Sequence, residues 1–185
     1  MIGLCGMARS GKDSFFNYSK AIFGELGVHT VRVAFADALK EECNDFLRDN
    51  VGISSFTEDP VEKMLIRPFL VTYGTHLRRK INQSCWISKV KPKVNGLISS
   101  GLVPVITDVR YENEVEFVKK QGGVIIHISR SGVKPPNEEE KTMDPKLKKL
   151  ADIKLSWPTL GDDEEGYTSY IKENAMENSN DLRAV

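Results

Sequence analysis

An apolar run, Ile2 to Cys5, leads straight into Gly6-Met7-Ala8-Arg9-Ser10-Gly11-Lys12-Asp13-Ser14, and no other stretch of the chain restricts its fold as much. The spacing G-x-x-x-x-G-K sets two glycines where backbone must fold tightly around an anion. It also sets a lysine whose ammonium can reach the outer phosphates of a nucleoside triphosphate. Phe15, Tyr18 and Ile22 then recur at helical spacing, so the motif has the strand–loop–helix setting its mechanism requires. The N-terminus of that helix adds its own attraction for phosphate. Where a hydroxyl residue ordinarily follows the lysine, this chain has Asp13, with Ser14 next; a carboxylate can hold magnesium at least as well. Gly6, Gly11, Lys12, Asp13 and Ser14 are therefore the expected ligands of ATP phosphates, with Asp13 and Ser14 beside the metal. A strand-to-helix turn without a ligand is the alternative, and the context argues against it.

A length of 185 residues suits a single domain with a substantial core, expected over 1–176 with a polar tail at 177–185. The 26 basic and 26 acidic residues cancel, which argues against a general nucleic-acid or membrane surface. Cys5, Cys43 and Cys85 are odd in number and lack metal-ligand spacing, so they read as reduced thiols in or near the core. With the first strand beginning at residue 2 and no apolar run of membrane-spanning length, a soluble, cytoplasmic protein is expected. A homodimer is left open.

Along the chain, strand and helix patterns alternate. Thr30 to Phe35 reads as a strand and Ala36 to Arg48 as a helix capped by Asp37, with Lys40 in its first turn. Residues 49–60 read as a loop, and Val61 to about Tyr73 as a helix that Pro68 should kink or split near Arg67. Gly74 and Thr75 follow as a break, then the basic cluster of His76, Arg78, Arg79 and Lys80, either a solvated face or a phosphate site. Trp86 opens a further helix, either as core or as a platform for a base, with Pro92 interrupting. Leu102 to Thr107 reads as a buried parallel strand ending in Asp108-Val109-Arg110, at the strand end where open α/β sheets bind ligands. Asp108 could hold magnesium through water or accept a proton or hydrogen bond, and Arg110 could clamp a phosphate; a structural salt bridge is the competing use. A helix over Tyr111–Gln121 and a strand over Val124–Ser129 follow, with His127 as a core or edge residue and Arg130 after the strand. Ser131 to Asp144 reads as a long mobile loop, a lid at about 131–145, before a strand at Ile153–Trp157 and a helix from Glu164 to Met176.

The pattern predicts a three-layer α/β fold of the P-loop NTPase type, with a mostly parallel sheet flanked by helices, like a nucleoside monophosphate kinase with a mobile lid. A hydroxyl acceptor would need a carboxylate base, Asp37 or Asp108. A monophosphate acceptor is already anionic near neutral pH, its second pKa being about 6, and needs cations instead. Arg9, Arg67, Arg78, Arg79, Arg110 and Arg130 are candidates for that work.

Gly6 to Ser14 with its G-K-D-S ending, Phe35 to Lys40, Arg67, Tyr73-Gly74-Thr75, Trp86, and Ile106 to Arg110 with Asn113-Glu114 together resemble the deoxynucleoside monophosphate kinases of tailed bacteriophages. The resemblance implies transfer of the terminal phosphate of ATP to a deoxynucleoside monophosphate, with magnesium, in an infected bacterial cytoplasm. Arg9, Lys12, Asp108 and Arg110 would act in catalysis, and Arg130, from the arginine set, is a candidate to join the loop residues on ATP. Arg9, Lys40, Arg67, Gly74, Thr75 and Trp86 would line the acceptor pocket, with Trp86 against the base or sugar; Asp37, Leu39, Arg78 and Arg79 are further candidates for the substrate site. Asp108, Arg110 and Glu114 would complete that pocket. Asp13, Ser14 and Asp108 would be the metal ligands. Because the G-K-D-[ST] loop is shared with phosphomevalonate kinases of animals, a kinase for another phosphorylated metabolite is an alternative, as is a nucleotide-binding protein that transfers nothing.

Overall fold

The computed structural model describes residues 1–161 and 163–176; the polar tail expected at 177–185 lies outside the described residues. These residues group into two compact units, one formed by residues 1–33 and 93 onward, the other by residues 34–92.

The first unit is built on five parallel strands in the order β2-β3-β1-β4-β5. They span Ile2–Cys5 (β1), Thr30–Val33 (β2), Val103–Val109 (β3), Val124–Arg130 (β4) and Ile153–Trp157 (β5). The helices of this unit are α1 (Lys12–Glu25), α6 (Glu112–Lys120), α7 (Glu138–Leu150) and α8 (Glu164–Ile171), which runs on as a π-helical turn over Lys172–Met176. Strand alternation sorts side chains to two faces. Ile2, Leu4, Ile126 and Ile128 pack with Phe15, Phe16, Ile22 and Phe23 of α1 and with Trp157, Tyr167 and Ile171. On the opposite face Gly3 leaves room for α6: a Cβ there would meet Val118 Cγ2 at 3.1 Å and Ile125 Cδ1 at 2.7 Å. Helices on both faces of a parallel sheet make the expected three layers. Pro104 is tolerated in an inner strand because β3 pairs with β1 only from Val105 onward, opposite Ile2.

The second unit is helical: α2 (Phe35–Val51), α3 (Pro60–Val71), a π-helical turn over Thr72–Arg78, α4 (Arg79–Ile81), and the start of α5 (Cys85–Ser99). Cys43, Leu47 and Ile66 form its buried cluster, with Leu39, Phe69 and Tyr73 packed against them.

Several expectations need correction. Ala34, in extended conformation, is the N-cap of α2, and Asp37 lies in the first turn instead of capping it; α2 also runs on to Val51, into the expected loop. Pro68, Pro92 and Pro145 all lie inside helices without ending them. Each is exposed, as is the residue four before it, so water can take the carbonyl that the missing N–H leaves free. Gly74 is not a break: it is buried in the π-turn, where a Cβ would meet Leu39 Cδ2 at 2.7 Å. The strand expected to end at Thr107 continues to Val109, which puts Asp108 inside it.

The long loop expected at 131–144 is the largest departure, because only 131–137 is irregular and α7 begins at Glu138. Asn137 caps it by accepting from the Glu140 amide (2.8 Å). Acidic residues fill the first turn and Lys148 and Lys149 the last, as the helix dipole favours. The cysteines are free and buried, as expected. Among the described residues no helix is long and apolar enough to cross a membrane.

Candidate active site

The loop from Gly6 to Gly11 joins the central strand to α1 and takes its shape from three left-handed residues. Gly6 has φ 131°, Arg9 φ 66° and Gly11, the N-cap of α1, φ 103°. Only glycine suits the first and last of these positions. A Cβ on Gly6 would collide with the Ile128 carbonyl oxygen, and one on Gly11 would stand 2.5 Å from Trp157 Cδ1. Arg9 is the one non-glycine residue with positive φ among those described, a strained conformation that clusters at ligand sites. Its side chain is exposed at the loop crest.

Lys12 curls back over the loop, donating to the carbonyls of Gly6 (2.8 Å) and Met7 (2.7 Å). Burial lowers its pKa, and the nearby positive charge of Arg110 lowers it further. Asp13 is exposed and Ser14 half-buried in the first turn of α1; Asp108 is half-buried near the end of β3. These hard oxygen donors suit magnesium, which takes one or two carboxylates alongside phosphate oxygens and water. Among the described residues no three His, Cys, Asp or Glu side chains gather into a metal cage.

Arg110 follows β3, the neighbour of β1, and its guanidinium donates to Glu140 Oε1 (2.8 Å). Glu114, expected to touch substrate, is almost fully buried and works locally: its carboxylate accepts from the amides of Arg110 (2.7 Å) and Tyr111 (3.1 Å). That capping box starts α6 and holds the backbone that carries Arg110. Arg130 ends β4, where its Nε and Nη2 donate to Thr159 Oγ1 (3.3 and 3.2 Å). His127 is a core residue, as the strand pattern suggested, with Nε2 3.0 Å from Asp144 Oδ1.

The remaining expected acceptor residues belong to the helical unit. Asp37, Leu39 and Lys40 lie on the first turns of α2, and the Lys40 ammonium sits 5.5 Å from the Phe56 ring centroid. Arg67 is exposed on α3, while Thr75, Arg78 and Arg79 are half-buried. Trp86 is only 4% exposed; its Nε1 donates to the Gly74 carbonyl (3.4 Å) and the Arg78 guanidinium covers its ring at 5.7 Å.

Glu42 escaped the sequence reading. Its carboxylate takes Tyr73 Oη (2.6 Å), Arg78 Nε (2.7 Å) and Lys89 Nζ (2.6 Å). Burial pushes its pKa up, but the hydrogen bonds from Lys89, Tyr73 and Arg78 outweigh that and hold the carboxyl down at about 2. A depressed folded-state pKa means that this stability is present above about 4.5, the ordinary carboxyl value, and is lost as pH falls toward 2. Glu42→Gln should therefore flatten the acid limb of the thermal-midpoint profile across that window. An acid limb as steep as the parent's would refute the assignment. Nothing in the spacing around position 42 names these partners, since Tyr73 and Arg78 lie 31 and 36 positions away. Glu140 was missed because its segment read as loop, although Asn137 followed by Glu140 at the third helical position is a capping signature.

A sequence model of the deoxynucleotide monophosphate kinase family matches residues 20–144. A protein of Acanthamoeba polyphaga mimivirus, named "Putative deoxynucleotide monophosphate kinase", is 27% identical over 177 residues, covering 84% of this chain and 86% of its own. Among solved structures, dephospho-CoA kinase from Campylobacter jejuni superposes with a TM-score of 0.51 at 14% identity, over 93% of this chain and 94% of its own. That likeness concerns the fold, which is the P-loop kinase fold expected from the sequence. With a phosphate-loop geometry at the head of the sheet and a family match over most of its length, the chain is a nucleotide kinase by descent and belongs to the deoxynucleotide monophosphate kinase family.

Proposed function

We propose that this protein transfers the terminal phosphate of ATP to a deoxynucleoside monophosphate. The observation that carries the reading is the loop: Gly6 and Gly11 with positive φ, Lys12 folded over the loop and the start of α1, with Arg110 near enough for its charge to act on Lys12. Phosphoryl transfer asks for alignment and charge compensation more than covalent chemistry. Lys12 and Arg110 would neutralise the transferred group, with Arg9 at the crest of the loop. Lys40, Arg67 and Arg79 supply cations for the acceptor's phosphate, whose own oxygen needs no base. Asp13, Ser14 and Asp108 would hold magnesium, which offsets negative charge on the ATP phosphates when bound.

A coupled assay of ADP release, with ATP and magnesium, tests this against ribo- and deoxyribonucleoside monophosphates and phosphomevalonate. Turnover with dGMP or dTMP, and little with ribonucleotides or phosphomevalonate, is the expected result. Silence across the nucleotides with turnover of phosphomevalonate would assign the loop to another acceptor. ATP binding without any acceptor-dependent ADP would remove the transferase reading altogether.

A further inference from the structure

The first turn of α7 places a carboxylate where a nucleotide's phosphates have to bind. Glu140 Oε2 accepts from the Ala8 amide of the phosphate loop (2.8 Å), and its Oε1 accepts from Arg110 Nη1 (2.8 Å). Its side chain is only 12% exposed, against 51% for Arg110. Lys12 lies close enough for the Glu140 charge to act on its ammonium, which meanwhile bonds the loop's own carbonyls. One carboxylate thus engages a loop amide, an arginine and the field of the lysine, the groups a polyphosphate would use.

The contact is held from several directions. Asn137 fixes Glu140 at the third position of α7. Glu139 accepts from Tyr111 Oη (2.6 Å), and Asp144 pairs with the buried His127 (3.0 Å), so α7 is pinned on both sides of Glu140. The cleft beneath is lined by Gly6, Met7, Arg110, Glu140 and Asp144.

We propose that Glu140 is an internal competitor for the phosphate loop, occupying it in the empty protein and leaving when nucleotide phosphates arrive. Its charge keeps Arg110 and the loop amides ordered without a ligand, and every phosphate that binds must first displace it. Apparent affinity is then lowered by the fraction of molecules in which Glu140 is docked. This rests on the loop being a phosphate site and is independent of which acceptor is phosphorylated.

Calorimetric titration of the full chain with inorganic tripolyphosphate and with ATP, each without acceptor, tests the idea in the parent, Glu140→Gln, Glu140→Asp and Glu139→Gln proteins. Glu140→Gln should bind both anions more tightly, by on the order of tenfold if the undocked form is about a tenth of the parent. Glu140→Asp, too short to span from helix to loop amide, should also bind more tightly than the parent, and it decides the matter if the glutamine variant does not fold. Glu139→Gln, which removes only the charge facing Tyr111, should match the parent. Equal or weaker anion binding by both Glu140 variants would overturn the competitor role. Tripolyphosphate binding to none of the four would overturn the phosphate-loop reading beneath it.

Discussion

Lys12→Met is expected to lower kcat/KM by at least about 10³-fold, some 4 kcal/mol of transition-state stabilisation, while the protein stays folded. Methionine fills nearly the same volume but brings no charge to the transferred group, and no other lysine lies in the loop. The fold should survive because the change is balanced. Two hydrogen bonds to the carbonyls of Gly6 and Met7 are lost, about 1 kcal/mol each, while a half-buried ammonium no longer has to be desolvated. Steady-state kinetics beside a thermal melt checks both halves. Turnover within tenfold of the parent would sink the role of Lys12, whatever the melt shows.

Gly6→Ala should have the largest effect on stability. The substitution adds a Cβ at φ 131°, a conformation left almost wholly to glycine, and drives it into the backbone carbonyl of Ile128, which cannot rotate away as a side chain could. Strain of about 1–3 kcal/mol and overpacking of a similar size add to roughly 2–6 kcal/mol. At about 2–4 °C per kcal/mol for a chain of this size, the melting midpoint should fall by on the order of 10 °C. The phosphate loop would be displaced with it, so ATP binding should weaken as well. Gly27→Ala is the control: it also has positive φ (75°), but its added Cβ would meet nothing within 4 Å, so it should cost much less. Equal losses at the two glycines would mean that backbone conformation alone, not the approach to Ile128, sets the cost at Gly6.

Elements encoded by short-range pattern were legible from the chain alone. The apolar run, the glycine–lysine spacing and the helical recurrence of Phe15 and Ile22 located β1, the phosphate loop and α1 because a few consecutive residues determine such a loop. The strand–helix alternation in turn located the parallel sheet and delivered Asp108 and Arg110 at the end of β3. The same reasoning failed where prolines sit on helix faces turned to water, and where Asn137 starts a helix in a polar stretch. Counting prolines cannot tell which carbonyls are solvated.

The amino-acid sequence by itself determined the phosphate loop, the three-layer parallel fold and the family, since each rests on spacing within a few turns or on residue identity along the chain. Only the tertiary structure decided which charges meet. Glu140 reaches Ala8 across 132 positions, and Glu42 gathers Tyr73 and Arg78 across 31 and 36. Leu39 packs so closely on the π-turn that residue 74 must be glycine, and Glu114 accepts from the backbone amide of Arg110. An ion pair needs two side chains within about 4 Å, and sequence spacing places only those one or two helical turns apart. The rest are brought together by burial of the apolar faces that the helices and strands share.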